Sequence, residues 1–172
     1  PIIYHCENNL KIHLEGEYDI HSSRGIAIHK ILELFWSEFK NHDQLCSLSN
    51  SKMEHKIEEL INETIANSDS KEYQIDHFKL ERELIFKLIY RWLNFEKTRN
   101  YFEVKLIEHP VSLKINNYEI IGRMDRIDYD EHMQTHVLID YKLSMGTPIS
   151  QMLQAFPDVQ MAVYMLSAPL DI

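Results

Sequence analysis

Gly122-Arg123-Met124-Asp125-Arg126-Ile127-Asp128 is followed, across a polar turn, by Val137-Leu138-Ile139-Asp140-Tyr141-Lys142. Both segments read as strands, and one hairpin's length of chain separates Asp125 from the Asp-x-Lys triplet. Strand residues two apart share a face. Asp140 and Lys142 therefore point one way and Tyr141 the other, while Asp125 shares its face with Arg123 and Ile127. If the two strands are antiparallel neighbours, Asp125 and Asp140 meet across the pair.

Carboxylates that follow directly on Val137-Leu138-Ile139 are costly in a central strand unless something compensates them. A bound cation supplies that compensation. Two Asp offer hard oxygen ligands to Mg²⁺ or Mn²⁺, and Lys142 places an ammonium beside an attacking water. That donor set suits hydrolysis of a phosphodiester. Taken alone, Asp-x-Lys on a strand is common, and its plain reading is carboxylates salt-bridged to Arg123, Arg126 and Lys142.

Working outward, the helical period starts at Gly25. Ile28, Leu32, Phe35 and Phe39 form a stripe, with Ile31 and Trp36 beside it. A second amphipathic helix fits residues 51–66, with Met53, Ile57, Leu60, Ile61 and Ile65 on its apolar face. Asn67-Ser68-Asp69-Ser70 marks a turn. A third helix runs from Asp76, as N-cap, to Lys97, with Phe78, Ile85, Leu88, Ile89, Trp92 and Phe95 as its stripe. The period then shortens to that of strands: 101–108, ended near Glu108 and Pro110, then Val111–Ile115, Tyr118–Tyr129 and Val137–Leu143. Asn116-Asn117 suits a tight turn, Gly146-Thr147-Pro148 a loop, and Pro157 the first turn of a last helix to about Ser167. Helices, a strand meander and a helix make an α+β (α/β) domain with a central mixed sheet. Residues 1–24 show no clear period.

The chain has 172 residues, 44% of them hydrophobic, with 4 Gly and 5 Pro. That is one domain with a real core, built from long elements. No stretch of 18 uncharged apolar residues spans a membrane, and no signal peptide is visible. Starting at Pro1 and stopping at Ile172, it reads as a fragment of a longer protein. Cys6 and Cys46 lack zinc-site spacing, and so few cysteines point to a reducing, cytoplasmic setting. A net charge of −9 gives no general attraction to nucleic acid, so any DNA contact must be local, metal-assisted or supplied by other parts of the parent protein.

Gly25-x3-His29, Glu108, Gly122-x-x-Asp125-Arg126-x-Asp128, Asp140-Tyr141-Lys142 and Gln160-x3-Tyr164, in that order, resemble the RecB/AddB-type branch of the PD-(D/E)XK nuclease superfamily. The resemblance spans Gly25 to Tyr164. It implies a restriction-endonuclease-like core and Mg²⁺- or Mn²⁺-dependent deoxyribonuclease activity, exonuclease in type, in DNA repair and recombination. Asp125 and Asp140 would bind metal, joined by His29 and the backbone carbonyl of Tyr141. Lys142 would orient the attacking water, and Glu108 would assist the site. Gln160 and Tyr164 would brace it and contact DNA, while Arg123 and Arg126 would touch phosphates. The substrate would be single-stranded DNA or duplex ends, and the partner a helicase domain or subunit of the same complex. AddB-type relatives carry four cysteines for an iron–sulfur cluster. Cys6 fits the first, but the expected later trio is absent, so no cluster is supported within these residues. Alternatives are an inactive nucleic-acid-binding or scaffolding module and a hydrolase of another phosphate ester.

Overall fold

The computed structural model describes residues 20–66, 72–115, 118–141, 164, 166 and 167. Its helices are α1 (Ile20–Glu38), α2 (His42–Ser47), α3 (Asn50–Ala66) and α4 (Glu72–Glu96). The strands β1 (Phe102–Ile115), β2 (Tyr118–Asp130) and β3 (Thr135–Ile139) follow, and Tyr164, Leu166 and Ser167 are again helical. This is an α+β fold, consistent with a restriction-endonuclease-like core.

Helical spacing explains the core. Ile28, Ile31, Leu32, Phe35 and Trp36 of α1 are buried, as are Met53, Ile57, Leu60 and Ile61 of α3. On α4 the buried line is Ile85, Ile89 and Leu93, each four residues on from the last. These three helices pack on one another, α1 rests on β1, and Phe102 closes the cluster from the sheet side. Burying a side chain of this size stabilises the fold by about 1.5–3 kcal/mol.

Three expectations are corrected. Helix α1 begins at Ile20, ahead of Gly25, and α4 begins at Glu72, which puts Asp76 inside the helix and not at its cap. Phe95, placed in the apolar stripe, is 55% exposed, because the four-residue line of α4 faces the core through Leu93 instead. The short helix α2 has no apolar period to announce it. It is fixed by its ends, where Asn41 Oδ1 accepts from the Gln44 N–H at 2.9 Å, and by buried Leu45.

The described strands form one sheet in the order β1-β2-β3, paired antiparallel throughout, so the parallel pairing of a mixed sheet is not among them. β1 does not stop at Glu108 but runs on through Pro110. Proline is tolerated there because, among the described residues, β2 is the one strand that β1 pairs with, so no described ladder uses the other side of Pro110. At its start, that outer side is partly covered, with the Val104 N–H donating to the Lys40 carbonyl at 2.8 Å. β2 is central, and Met124 to Asp128 are all buried. Charged groups in such a segment must be paired. The expected turns at 67–70 and 116–117, the loop at 146–148, the helix start at Pro157, and Cys6 lie outside the described residues.

Candidate metal centre

The core sets the position of each polar side chain. Burial of Ala27 and Ile28 on α1 leaves His29, the next residue, half-buried at the rim of the apolar face. Asp125 is held in the middle of β2. Register places Ile107 against Arg126 and His109 against Met124, so Glu108 of β1 falls opposite Asp125. Glu108 has a positive φ of 47°, an uncommon conformation for a side-chain-bearing residue and one worth a functional reading. The next register position after Arg126–Ile139 sets Asp140 beside Asp125, just past the end of β3.

His29, Glu108 and Asp125 each offer one ligand atom, and these atoms all lie within 4.8 Å of one another. His29 Nδ1 is 3.3 Å from Asp125 Oδ1. On its other side, His29 Nε2 is 2.7 Å from the Tyr141 carbonyl oxygen. The Tyr141 N–H donates to Asp125 Oδ2 at 2.6 Å. Asp140, half-buried, does not join the trio within that distance.

This arrangement calls for a cation. A carbonyl only accepts, so His29 Nε2 carries the proton it donates to Tyr141. In a neutral imidazole, the Nδ1 lone pair would then face the Asp125 carboxylate. A proton or a metal ion relieves that repulsion. The hydrogen bond to Asp125, the largest cause, raises the His29 pKa above its ordinary 6.5, aided by the charge on Asp125 and opposed by burial. Burial, and then the facing charge of Asp125, push the Glu108 carboxyl above the usual carboxylate range. The raised His29 imidazole and the raised Glu108 carboxyl, gathered beside Asp125, fit a site for a divalent ion. Neighbouring ligands of one octahedral Mg²⁺ stand about 3 Å apart, so the three groups would draw closer around an ion.

Residues 1–170 match the sequence model of the PD-(D/E)XK nuclease superfamily. The chain belongs to that superfamily. No curated protein and no solved structure matches it. Members of this nuclease superfamily generally use divalent metals, and the trio is a possible acidic metal site. Among the described residues, no helix is long and apolar enough to cross a membrane.

The other positions singled out in the sequence divide three ways. Lys142 and Gln160 lie outside the described residues. Arg123 has a side chain 67% exposed and sits 3.6 Å from Glu108, at the mouth of the trio. Tyr164 is buried, and its hydroxyl donates to the Arg123 carbonyl at 2.7 Å. Its ring occupies the space beside Gly122, where a Cβ would come within 2.9 Å of Cε1. Gly122 thus permits the close approach of the helix that carries Tyr164.

Arg126 is corrected. Its side chain has no exposure, so it cannot touch a phosphate. Arg126 Nη2 donates to Glu96 Oε2 and Asp128 Oδ2, both at 2.8 Å, and Arg99 Nη1 donates to the same two oxygens at 2.6 and 2.9 Å. The Arg126 guanidinium also stacks 4.1 Å from the Trp36 ring. Two arginines and two acids make a buried, charge-balanced group. Sequence reasoning missed Glu96 and Arg99 entirely. The available signal was Arg126-x-Asp128, two opposite charges on one face of a strand that is buried on both sides.

Proposed function

We propose that this chain is a metal-dependent deoxyribonuclease domain, with a Mg²⁺ or Mn²⁺ ion held by Asp125, Glu108, His29 and the Tyr141 carbonyl, and with Asp140 as a further oxygen ligand. The observation that carries the reading is the meeting of His29, Glu108 and Asp125, 79 and 17 residues apart in sequence, within one 4.8 Å sphere. A bound divalent ion supplies Lewis acidity and a water of lowered pKa. The protein supplies the rest. His29 would bind the ion through its unprotonated ring nitrogen. Asp125 is pre-set by the Tyr141 N–H. Lys142, one residue beyond Tyr141, orients the attacking water and offsets charge on the phosphoryl group. Nearby carboxylates would favour its charged form, which suits orientation better than proton abstraction. Exposed Arg123 gives a local phosphate contact on an otherwise acidic chain.

The order of motifs supports a RecB/AddB-type nuclease. On that reading, the domain is an exonuclease acting on single strands or duplex ends in repair and recombination, in the cytoplasm, beside a helicase domain or subunit. Gln160 and Tyr164 brace the site. Cleavage assays with labelled single-stranded and duplex DNA, with and without Mn²⁺, test the reading. Asp140→Ala and Lys142→Ala should each abolish metal-dependent cleavage and leave the melting temperature near wild type. Wild-type rates in either variant would rule out the assignment. A folded wild-type protein that binds DNA without cleaving it in any metal would instead support the scaffolding alternative.

A further inference from the structure

Tyr141 is bonded to the site through its backbone and to the core through its side chain. The backbone N–H holds Asp125 Oδ2, and the carbonyl holds His29 Nε2. The ring stands edge-on to Trp92 of α4 and to His29 of α1, each at 5.8 Å between centroids. The hydroxyl accepts a hydrogen bond from Arg126 Nη1 at 3.1 Å. Arg126 is itself fixed by Glu96 and Asp128, and so cannot follow a drifting tyrosine. β3 ends two residues earlier, at Ile139, so no described strand ladder holds the Tyr141 backbone in place.

We infer that the Arg126–Tyr141 side-chain contact is a positioning device for the metal pocket: the buried ion group fixes the tyrosine hydroxyl, and the tyrosine backbone thereby fixes both Asp125 and the carbonyl ligand. This rests on the metal-site reading above and extends it to residues that touch neither the ion nor the substrate. Arg126 acts through Tyr141 and is a positioning residue. The device explains why an arginine stands, fully buried, one residue from Asp125. It also explains why the residue between Asp140 and Lys142 is aromatic with a polar tip: the ring fills the space between α1 and α4, and the tip reaches the guanidinium. Burial raises the Tyr141 phenol far above its ordinary range, so the group stays neutral and the contact persists at any working pH.

Tyr141→Phe tests this, because it keeps the ring and both backbone contacts and removes only the hydroxyl. Mn²⁺ titration calorimetry, thermal melting and cleavage kinetics are run on wild type, Tyr141→Phe and Arg99→Gln. Arg99 shares the ion group but is not bonded to Tyr141, so its loss softens the group and leaves the hydroxyl contact in place. Tyr141→Phe should raise the Mn²⁺ dissociation constant roughly tenfold or more, since removing a group that orients a ligand costs this much. It should lower kcat, while KM for DNA changes by less than about twofold. Arg99→Gln should lower the melting temperature and leave Mn²⁺ affinity near wild type. Wild-type Mn²⁺ affinity in folded Tyr141→Phe overturns the inference and leaves the metal site standing. So does an equal loss in both variants. If the wild-type protein binds no Mn²⁺, the metal-site reading fails first.

Discussion

Glu108 stands opposite Asp125 across the β1–β2 pair, so two carboxylates face each other from adjacent strands, with His29 beside them. Such a pair is unfavourable in the bare protein and favourable around a dication. Glu108→Gln removes one charge without changing shape. In chelator at neutral pH it should raise the melting temperature above wild type, because the burial and repulsion that push the Glu108 pKa up are relieved. In Mn²⁺ it should bind at least about tenfold more weakly, a loss of ~1.4 kcal/mol. Differential scanning calorimetry under both conditions checks this, and a variant less stable in chelator would count against the repulsion.

His29 gives the metal-free protein a pH dependence of known sign. Its folded pKa lies above the unfolded 6.5. Its contribution to stability is therefore full below 6.5 and is lost as pH rises through the folded value. Glu108, also raised, contributes in the same direction over a lower window that opens at its ordinary 4.5. Chelated wild type should lose stability as pH rises above 6.5, and His29→Gln should flatten that slope. Urea denaturation across the range measures it. Equal slopes in the two proteins would show that His29 is not the titrating group.

The buried ion group makes a separate claim about stability. Asp128→Ala leaves Arg126 and Arg99 sharing a single carboxylate oxygen, Glu96 Oε2. Breaking a buried pair costs about 3–5 kcal/mol, so the denaturation midpoint should fall sharply. A loss under about 1 kcal/mol would mean that water reaches the group and screens it.

Gly122→Ala should fail through Tyr164. The new methyl would sit 2.9 Å from the ring and force the helix outward, stretching the hydroxyl contact to the Arg123 carbonyl. Overpacking of this kind costs about 1–3 kcal/mol. The double variant Gly122→Ala/Tyr164→Leu should recover part of the loss. Independent, additive effects would refute the coupling.

The sequence exposes the parts of this fold that obey a period. The stripes of α1 and α3 predict most of their buried faces, because a helix that packs on one side must repeat every three to four positions, although Phe39 and Ile65 are only half-buried and buried Ala27 was not expected. The alternation around Asp125 and Asp140 likewise predicts that β2 and β3 pair with these two residues adjacent. Period alone could not reveal what depends on chain reversal in space. Glu108 was expected at the end of a strand, whereas β1 takes a positive φ there and continues, since among the described strands β1 lies at the sheet edge, where Pro110 is accommodated. Arg126 was expected at a phosphate through the resemblance, whereas its plain reading as a salt-bridged residue is the one its burial supports. Its partners Glu96 and Arg99 lie at the far end of α4 and just beyond it, 30 and 27 residues away. The gathering of His29 with Asp125 was legible only through resemblance, because nothing in a helix stripe says which rim residue will face a strand.

The central claim is that one divalent ion sits among His29, Glu108, Asp125 and the Tyr141 carbonyl. A crystal grown in Mn²⁺, with data collected above the manganese absorption edge, tests it most directly. The account predicts an anomalous peak at bonding distance, about 2.2 Å, from an Asp125 oxygen and from the Tyr141 carbonyl oxygen, lost in Asp125→Ala. A well-ordered pocket with no peak there, or a peak bound only by other residues, would contradict it.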